Sequence, residues 1–355
     1  MILFASSERY CSLHQWLVRW IGNWNPDQQL SIINSSGYIL PDEISSLDFI
    51  QFEEFHPIQY IDTLWSHLCP HAEDWWKLLE INSKKSIELP FIPGLDDIAL
   101  LLYLAEVSEK QSESTTQLIL LPHPSETVKL FRLAHNGPHL IDNLLEPLLN
   151  WWDTTRSSLS TVETLLRLKL PASKQLRLSD DWKNRLEVFK QRLCSSRQNP
   201  LIIFTDCEDQ TIELIRERIK VMGLYGAIPS HLILTSLDLK ATQTLIDQYC
   251  NESPLCHISN QIDDISNPNN IEIIGSNHKQ KIQASFQINH ESKSIKMYMP
   301  GMESSDLQIQ QIDQSIHLIY KSHHRTIDLE NGWAKYQCSR ASIDSGWLSL
   351  SFNPI

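Results

Sequence analysis

Residues Ser6-Ser7-Glu8-Arg9-Tyr10-Cys11-Ser12 place three serine hydroxyls, a phenol, a thiol, a carboxylate and a guanidinium between a first apolar strand and a first helix. Closing a loop around phosphate takes glycines, which let backbone N–H groups approach, and lysines, which neutralise the charge. Here no glycine precedes Gly22 and no lysine precedes Lys77. Each position of the stretch carries a Cβ, which obstructs close backbone approach. The whole chain has only 10 glycines in 355 residues, so glycine-built phosphate loops must be scarce throughout. Cys11 stands where a helix begins, a place where a thiol pKa falls and reactivity rises, although packing is its plainer role. Ser6, Ser7 and Cys11 lack a Gly-x-Ser-x-Gly elbow with His and Asp in order, so no hydrolase triad is supported.

Two further clusters contain metal-ligand types. His67 and His71 stand four apart with Cys69 between them, but Pro70 breaks the turn that would align the imidazoles, and no third ligand is identifiable. That group reads as loop surface. Cys250, Cys256 and His257 lie close together without a Cys-x-x-Cys, so no metal is expected there either. The seven cysteines are scattered and odd in number, which fits a reducing compartment and no disulfide framework.

Charge narrows the field. With 30 Lys plus Arg against 43 Asp plus Glu, the net charge of −13 argues against nucleic acid as a partner. Apolar residues at 41% allow a sizeable core. The most apolar window, Ile98 to Val107, is too short to span a bilayer and follows Asp96 and Asp97. Met1 to Ala5 has no basic leader and reads as a buried strand, not a signal peptide. A soluble, cytosolic protein is expected.

Periodicity supplies the elements. After the first strand, Leu13, Trp16, Leu17, Trp20, Ile21 and Trp24 recur at steps of three and four, one stripe of a helix. Leu30 to Ile33 offers a second strand. Helix and strand then alternate through Leu95–Val107, Leu118–Leu121 and a helix from about Ser125 carrying Val128 and Phe131. This is the rhythm of a parallel α/β sheet. Residues 143–194 read as a helical insertion, including Val162, Leu165, Leu166 and Leu168 and a Ser179-capped helix through Trp182, Leu186 and Phe189. The sheet resumes at Leu201–Phe204, followed by a helix with Ile212, Ile215, Ile219 and Met222 inward, then Leu232–Leu234. Residues 261–285, rich in Asn, Asp, Ser and Gln, read as a linker. From 286 to 355 apolar residues alternate, as in Ile295, Met297 and Met299 or Leu348, Leu350 and Phe352, with Pro300-Gly301 and Asn331-Gly332 as turns. This predicts a small all-β sandwich.

This order resembles the ArsA family, the arsenite-pump ATPases and the targeting ATPases for tail-anchored membrane proteins. In particular it looks like the cyanobacterial and plastid members with a C-terminal α-crystallin-like (small-heat-shock-protein-like) domain. The likeness rests on Pro124-Ser125-Glu126-Thr127-Val128-Lys129-Leu130 after Leu118–Leu121, similar to the switch II stretch, and on Pro93-Gly94-Leu95-Asp96-Asp97, similar to Pro-Gly-x-Asp-Glu. Leu201–Thr205 with Met222-Gly223-Leu224 is similar to the late strand and helix before the adenine-contacting region. The β region contributes Ile295–Met302, His324–Leu329 and Gly346–Phe352. The resemblance implies a P-loop NTPase fold of the SIMIBI type over 1–260, with the sandwich over 286–355.

The same resemblance marks what is missing. The family's Lys-Gly-Gly-x-Gly-Lys-Thr falls on Ser6–Ser12, with Glu8 where triphosphate would sit. Its Ser-Thr-Asp-Pro falls near Asn34-Ser35-Ser36-Gly37, where Ser36 cannot position water as Asp does, and the switch II Asp is replaced by Leu120 or Leu121. Phosphoryl transfer depends on positioning and charge neutralisation, and neither is replaced. The expectation is a pseudoATPase with no cofactor, ATP with Mg²⁺ being the alternative through Arg9 and a backbone nest. A structural scaffold docking through sandwich edge strands is a further alternative. By resemblance it works as a chaperone-like or interaction protein in the cyanobacterial cytosol or plastid stroma. The same resemblance implies a homodimer, or a heterodimer with an intact paralogue, that binds a hydrophobic polypeptide or membrane-protein segment. The client surface expected is Leu144, Leu145, Leu148, Leu149, Trp151 and Trp152 beside the helical insertion.

Overall fold

The computed structural model describes residues 2–63, 95–110, 115–140, 180–194, 199–205, 212–234, 243, 257–259, 266, 286–329, 331–333 and 335–355. The chain divides into two compact units, one of 1–54, 111–135 and 190–355, the other of 55–110 and 136–189.

The first unit is built on a seven-stranded parallel sheet: β1 (Ile2–Ser7), β2 (Leu30–Asn34), β3 (Ile50–Glu54), β4 (Thr116–Leu120), β5 (Leu201–Thr205), β6 (His231–Leu234) and β7 (His257–Ser259). Their order is β3-β2-β4-β1-β5-β6-β7. Central strands of such sheets are covered on both faces and therefore read as continuous apolar runs. β1, β5 and β6 are buried at every position. The edge strands escaped the sequence reading because they are not apolar runs: β3 reads Ile50-Gln51-Phe52-Glu53-Glu54, with only Ile50 buried.

Helix α1 (Tyr10–Gly22) buries Leu13, Trp16, Leu17, Trp20 and Ile21 on one face. Trp16 stacks on Trp20 at 5.6 Å and meets Phe204 of β5 at 5.4 Å, so the tryptophan stripe is core. Trp24 lies past the helix end, where it stays buried with its indole N–H donating to the Gln28 carbonyl. A short helix α2 (Asp42–Ser45) precedes β3. Helices α4 (Pro124–Leu140) and α6 (Ile212–Leu224) follow β4 and β5.

The second unit contains helical residues 57–63, α3 (Leu95–Glu109) and most of α5 (Asp180–Cys194). Phe55, Tyr60 and Tyr103 cluster with ring separations of 4.8 to 6.1 Å. Tyr60 donates to Glu106, and Arg185 pairs with Glu109 at 2.8 Å.

The C-terminal β region belongs to the first unit. It forms a three-stranded antiparallel sheet, β10 (Gln308–Ile312), β11 (Ser315–Tyr320) and β12 (His323–Asp328). A four-stranded one has the order β13-β14-β9-β8, from β8 (Phe286–Asn289), β9 (Ser294–Tyr298), β13 (Tyr336–Asp344) and β14 (Trp347–Pro354). The alternation read from sequence holds: Ile316, Leu318 and Tyr320 are buried on β11, and Leu348, Leu350 and Phe352 on β14. Ser345 and Gly346, both at positive φ, make the two-residue turn of the β13–β14 hairpin, the combination a type I′ turn requires.

This region docks on α6. Glu217 accepts from Tyr320 at 2.6 Å and pairs with Lys321 at 2.8 Å, while Lys220 pairs with Asp306 at 2.7 Å. Gly223 is required for the approach: a Cβ there would lie 2.8 Å from Pro300 Cδ. Arg325 of β12, only 7% exposed, donates to the Leu224 carbonyl at 2.8 Å.

Candidate functional site at the head of the first helix

In a parallel sheet, ligands bind beyond the carboxyl ends of the strands, where the strand order turns from one side to the other. Here that point is β1, flanked by β4 and β5. The carboxyl ends of β1, β2 and β4 meet there, because Asn34 of β2 and Ala5 of β1 both register with Leu120 of β4.

The structure corrects the extent of the first stretch. Ser6 and Ser7 are not loop but the last residues of β1, with Ser7 opposite Phe204 of β5, and Tyr10, Cys11 and Ser12 already belong to α1. Only Glu8 and Arg9 remain as the turn. The apolar strand signal stopped at Ala5, but parallel pairing to β5 carries the strand two serines further.

The turn is closed by its own groups. Glu8 N–H donates to the Phe204 carbonyl at 3.1 Å, and Arg9 N–H to Ser7 Oγ at 3.3 Å. Ser7 Oγ in turn donates to the Arg9 carbonyl at 2.7 Å. The Tyr38 hydroxyl lies 3.2 Å from both the Ser7 and Glu8 carbonyls, and its ring packs on Tyr10. Burial, then the Cys11 thiol, raise the Tyr38 pKa, so the hydroxyl keeps its proton as a donor. The Glu8 side chain, 5% exposed, forms an ion pair with Arg218 on α6. Burial lowers the Arg218 pKa, yet a guanidinium starts far enough above neutrality to remain charged.

The neighbouring segments are also internally satisfied. Ser6 Oγ donates to the Pro122 carbonyl, toward which Thr127 Oγ1 also points at 2.8 Å. Ser35 bonds the Leu120 carbonyl through both its N–H and its hydroxyl. Ser36 bonds Asn34 Oδ1, and Gly37, at φ 77°, turns the chain so that Tyr38 reaches the β1 end. Leu120 and Leu121 are fully buried apolar groups. His123 caps α4: its Nδ1 accepts from the Ser125 N–H at 3.3 Å, and burial lowers its pKa against the opposing charge of Glu126, keeping the ring neutral.

Beside Arg218 lies a recess of about 10 Å³ lined by Val128, Ile203, Ile215, Ile219 and Met222. It has room for one water. Among the described residues no group of three or more His, Cys, Asp or Glu is placed to hold a metal. His257 sits on β7 opposite His231. His67, Cys69, His71, Cys250 and Cys256 lie outside the described residues, as do the expected client residues Leu144, Leu145, Leu148, Leu149, Trp151 and Trp152. No described helix is long and apolar enough to cross a membrane.

Tyr38 and Arg218, which close the turn, were not singled out from sequence. Tyr38 follows the glycine of a Ser-Ser-Gly turn, a weak hint, and Arg218 carries no local signal because its role depends on α6 lying beside β1. No protein-family model and no curated protein matches the chain.

Proposed function

We propose that this protein is a nucleotide-independent relative of the ArsA-type targeting ATPases, with a degenerate P-loop fold of the SIMIBI type and a chaperone-like or interaction role. Its client is a hydrophobic polypeptide or membrane-protein segment. It acts as a homodimer, or paired with an intact paralogue, in the cytosol or plastid stroma.

The observation that carries the reading is the two-residue β1–α1 turn sealed by Glu8–Arg218 and Tyr38. The buried Glu8 carboxylate, two residues ahead of the helix, would repel a phosphate brought to the helix head. Bringing in triphosphate would require breaking that ion pair and reopening a turn whose two backbone N–H groups already have acceptors. Phosphoryl transfer needs charge neutralisation and a positioned water, and the switch-like segments offer Ser35, Ser36 and two buried leucines instead.

The test is binding of a labelled peptide of about 20 apolar residues, the length of a membrane-spanning helix, with and without Mg-ATP. Micromolar affinity unchanged by nucleotide is expected. Absence of binding, or binding that appears only with ATP, contradicts the proposal.

A further inference from the structure

Away from the helix head, four segments of the first unit converge on a thiol. Cys194, the last residue of α5, has its Sγ 3.5 Å from His135 Nε2 of α4 and 3.5 Å from the Tyr225 carbonyl. Gly226, at φ 71°, leaves open a point that is 3.6 Å from Cys194 Sγ and 3.2 Å from Arg325 Nη1, so thiol and guanidinium flank the same spot.

Arg325 is the unusual member. It is buried, its Nε has no hydrogen-bond partner, and its Nη1 reaches only the Leu224 carbonyl and the Met297 sulfur. Among the described residues it meets no carboxylate. A buried guanidinium without a counter-anion is costly, and the groups beside it able to supply a negative charge are the Cys194 thiol and the Tyr225 phenol.

We propose that Cys194 is a peroxide-reactive thiol, held by Arg325 and His135, and that its sulfenate is the anion the buried guanidinium lacks. His135 is kept neutral: burial pushes its pKa well down, the charges of Arg325 and Lys190 push it further, and the bond to the Tyr225 backbone only partly opposes this. It thus serves as a hydrogen-bonding imidazole and leaves Arg325 as the cation. Among the described residues, the other charged or titratable groups facing this cluster are Arg132, His323 and, next to His323, Glu217 and Lys321. Positive groups dominate, the surroundings that favour a thiolate.

The chemistry balances with a hydroperoxide as oxidant. The thiol proton leaves to solvent, to which Cys194 is partly exposed. The thiolate sulfur attacks the near peroxide oxygen, the S–O bond forms as the O–O bond breaks, and the departing oxygen takes a proton to become water or an alcohol. Sulfur is oxidised to sulfenic acid, whose proton then leaves to solvent to give the sulfenate, and the peroxide is reduced.

Two other cysteines provide internal controls: Cys11 is exposed, and burial raises the Cys338 thiol. The whole protein is treated with hydrogen peroxide and a sulfenic-acid trap at pH 7 and mapped by mass spectrometry, alongside alkylation rates from pH 6 to 9. Trapping at Cys194 several-fold above Cys11 and Cys338 is expected, with an alkylation inflection below the ordinary value of about 8.5. Arg325→Gln is expected to erase that advantage and Arg325→Lys to retain most of it. If either variant fails to fold, the wild-type ratio decides. Faster reaction at the more exposed Cys11 throughout the range, or trapping unchanged in folded Arg325→Gln, overturns the proposal.

Discussion

The Glu8 carboxylate, in the turn after β1, and the Arg218 guanidinium, on α6, form an ion pair that ties the approach to the first helix to a helix far later in sequence. Glu8 is almost wholly buried, so the pair is shielded from the water and salt that weaken surface pairs. Removing one partner leaves a buried charge. Arg218→Met is expected to destabilise the protein by about 3 kcal/mol, and the double variant Glu8→Gln with Arg218→Met to recover much of that loss. Chemical denaturation midpoints check both; equal losses in single and double variants would deny that the pair acts as a unit.

Tyr38→Phe removes a donor that serves the carbonyls of Ser7 and Glu8 while leaving the ring against Tyr10. A loss of about 1 kcal/mol is expected by the same assay.

Helix α6 also receives the β region, and Gly223 sets how closely. An added methyl would stand 2.8 Å from Pro300 Cδ and 3.2 Å from Met299 Cα, the latter in backbone that cannot rotate away. Gly223→Ala is expected to cost about 2 kcal/mol. Gly22→Ala, with nothing within 4 Å, is the control and should be neutral or slightly stabilising. Thermal unfolding of the two variants side by side reads the difference.

Acid should loosen this half of the molecule in two stages. Burial lowers the His135 pKa well below its ordinary value, so between that ordinary value, about 6.5, and its folded value the unfolded chain binds a proton the native one does not. Stability therefore falls as pH drops below about 6.5, by up to about 1.4 kcal/mol per pH unit for one proton. Glu217 and Asp306 follow at lower pH. Burial opposes their ionisation, but Lys321 and Tyr320 for Glu217, and Lys220 with the Glu303 N–H for Asp306, outweigh it and hold both carboxyls low. Their contribution is fully present above the ordinary carboxyl range and is lost as pH falls below it, through the lowered folded values. Urea midpoints between pH 2 and 8 test this; His135→Gln should flatten the upper part of the slope only.

What the sequence made legible depended on burial pattern. β1, β4, β5 and β6 each contain a short apolar run, and α1 carries its tryptophans at helical spacing, so the parallel sheet and its first helix could be read directly. Edge strands β3 and β7 were not legible because half-covered strands need no apolar run. At the helix head, the missing glycines and lysines were visible, whereas the closure was not. Tyr38 and Arg218 reach Glu8 only through the tertiary arrangement of β2 and α6 around β1, which no local spacing encodes.

With the Glu8–Arg218 pair closed, the helix head should take no nucleotide. Titration calorimetry of the purified protein with ATP and ADP in the presence of Mg²⁺, with phosphate release followed in parallel, checks this. No heat of binding up to millimolar nucleotide and no phosphate release are expected. Micromolar binding, or turnover above the protein-free rate, would contradict it and would mean that the Glu8–Arg218 pair opens to admit the phosphates.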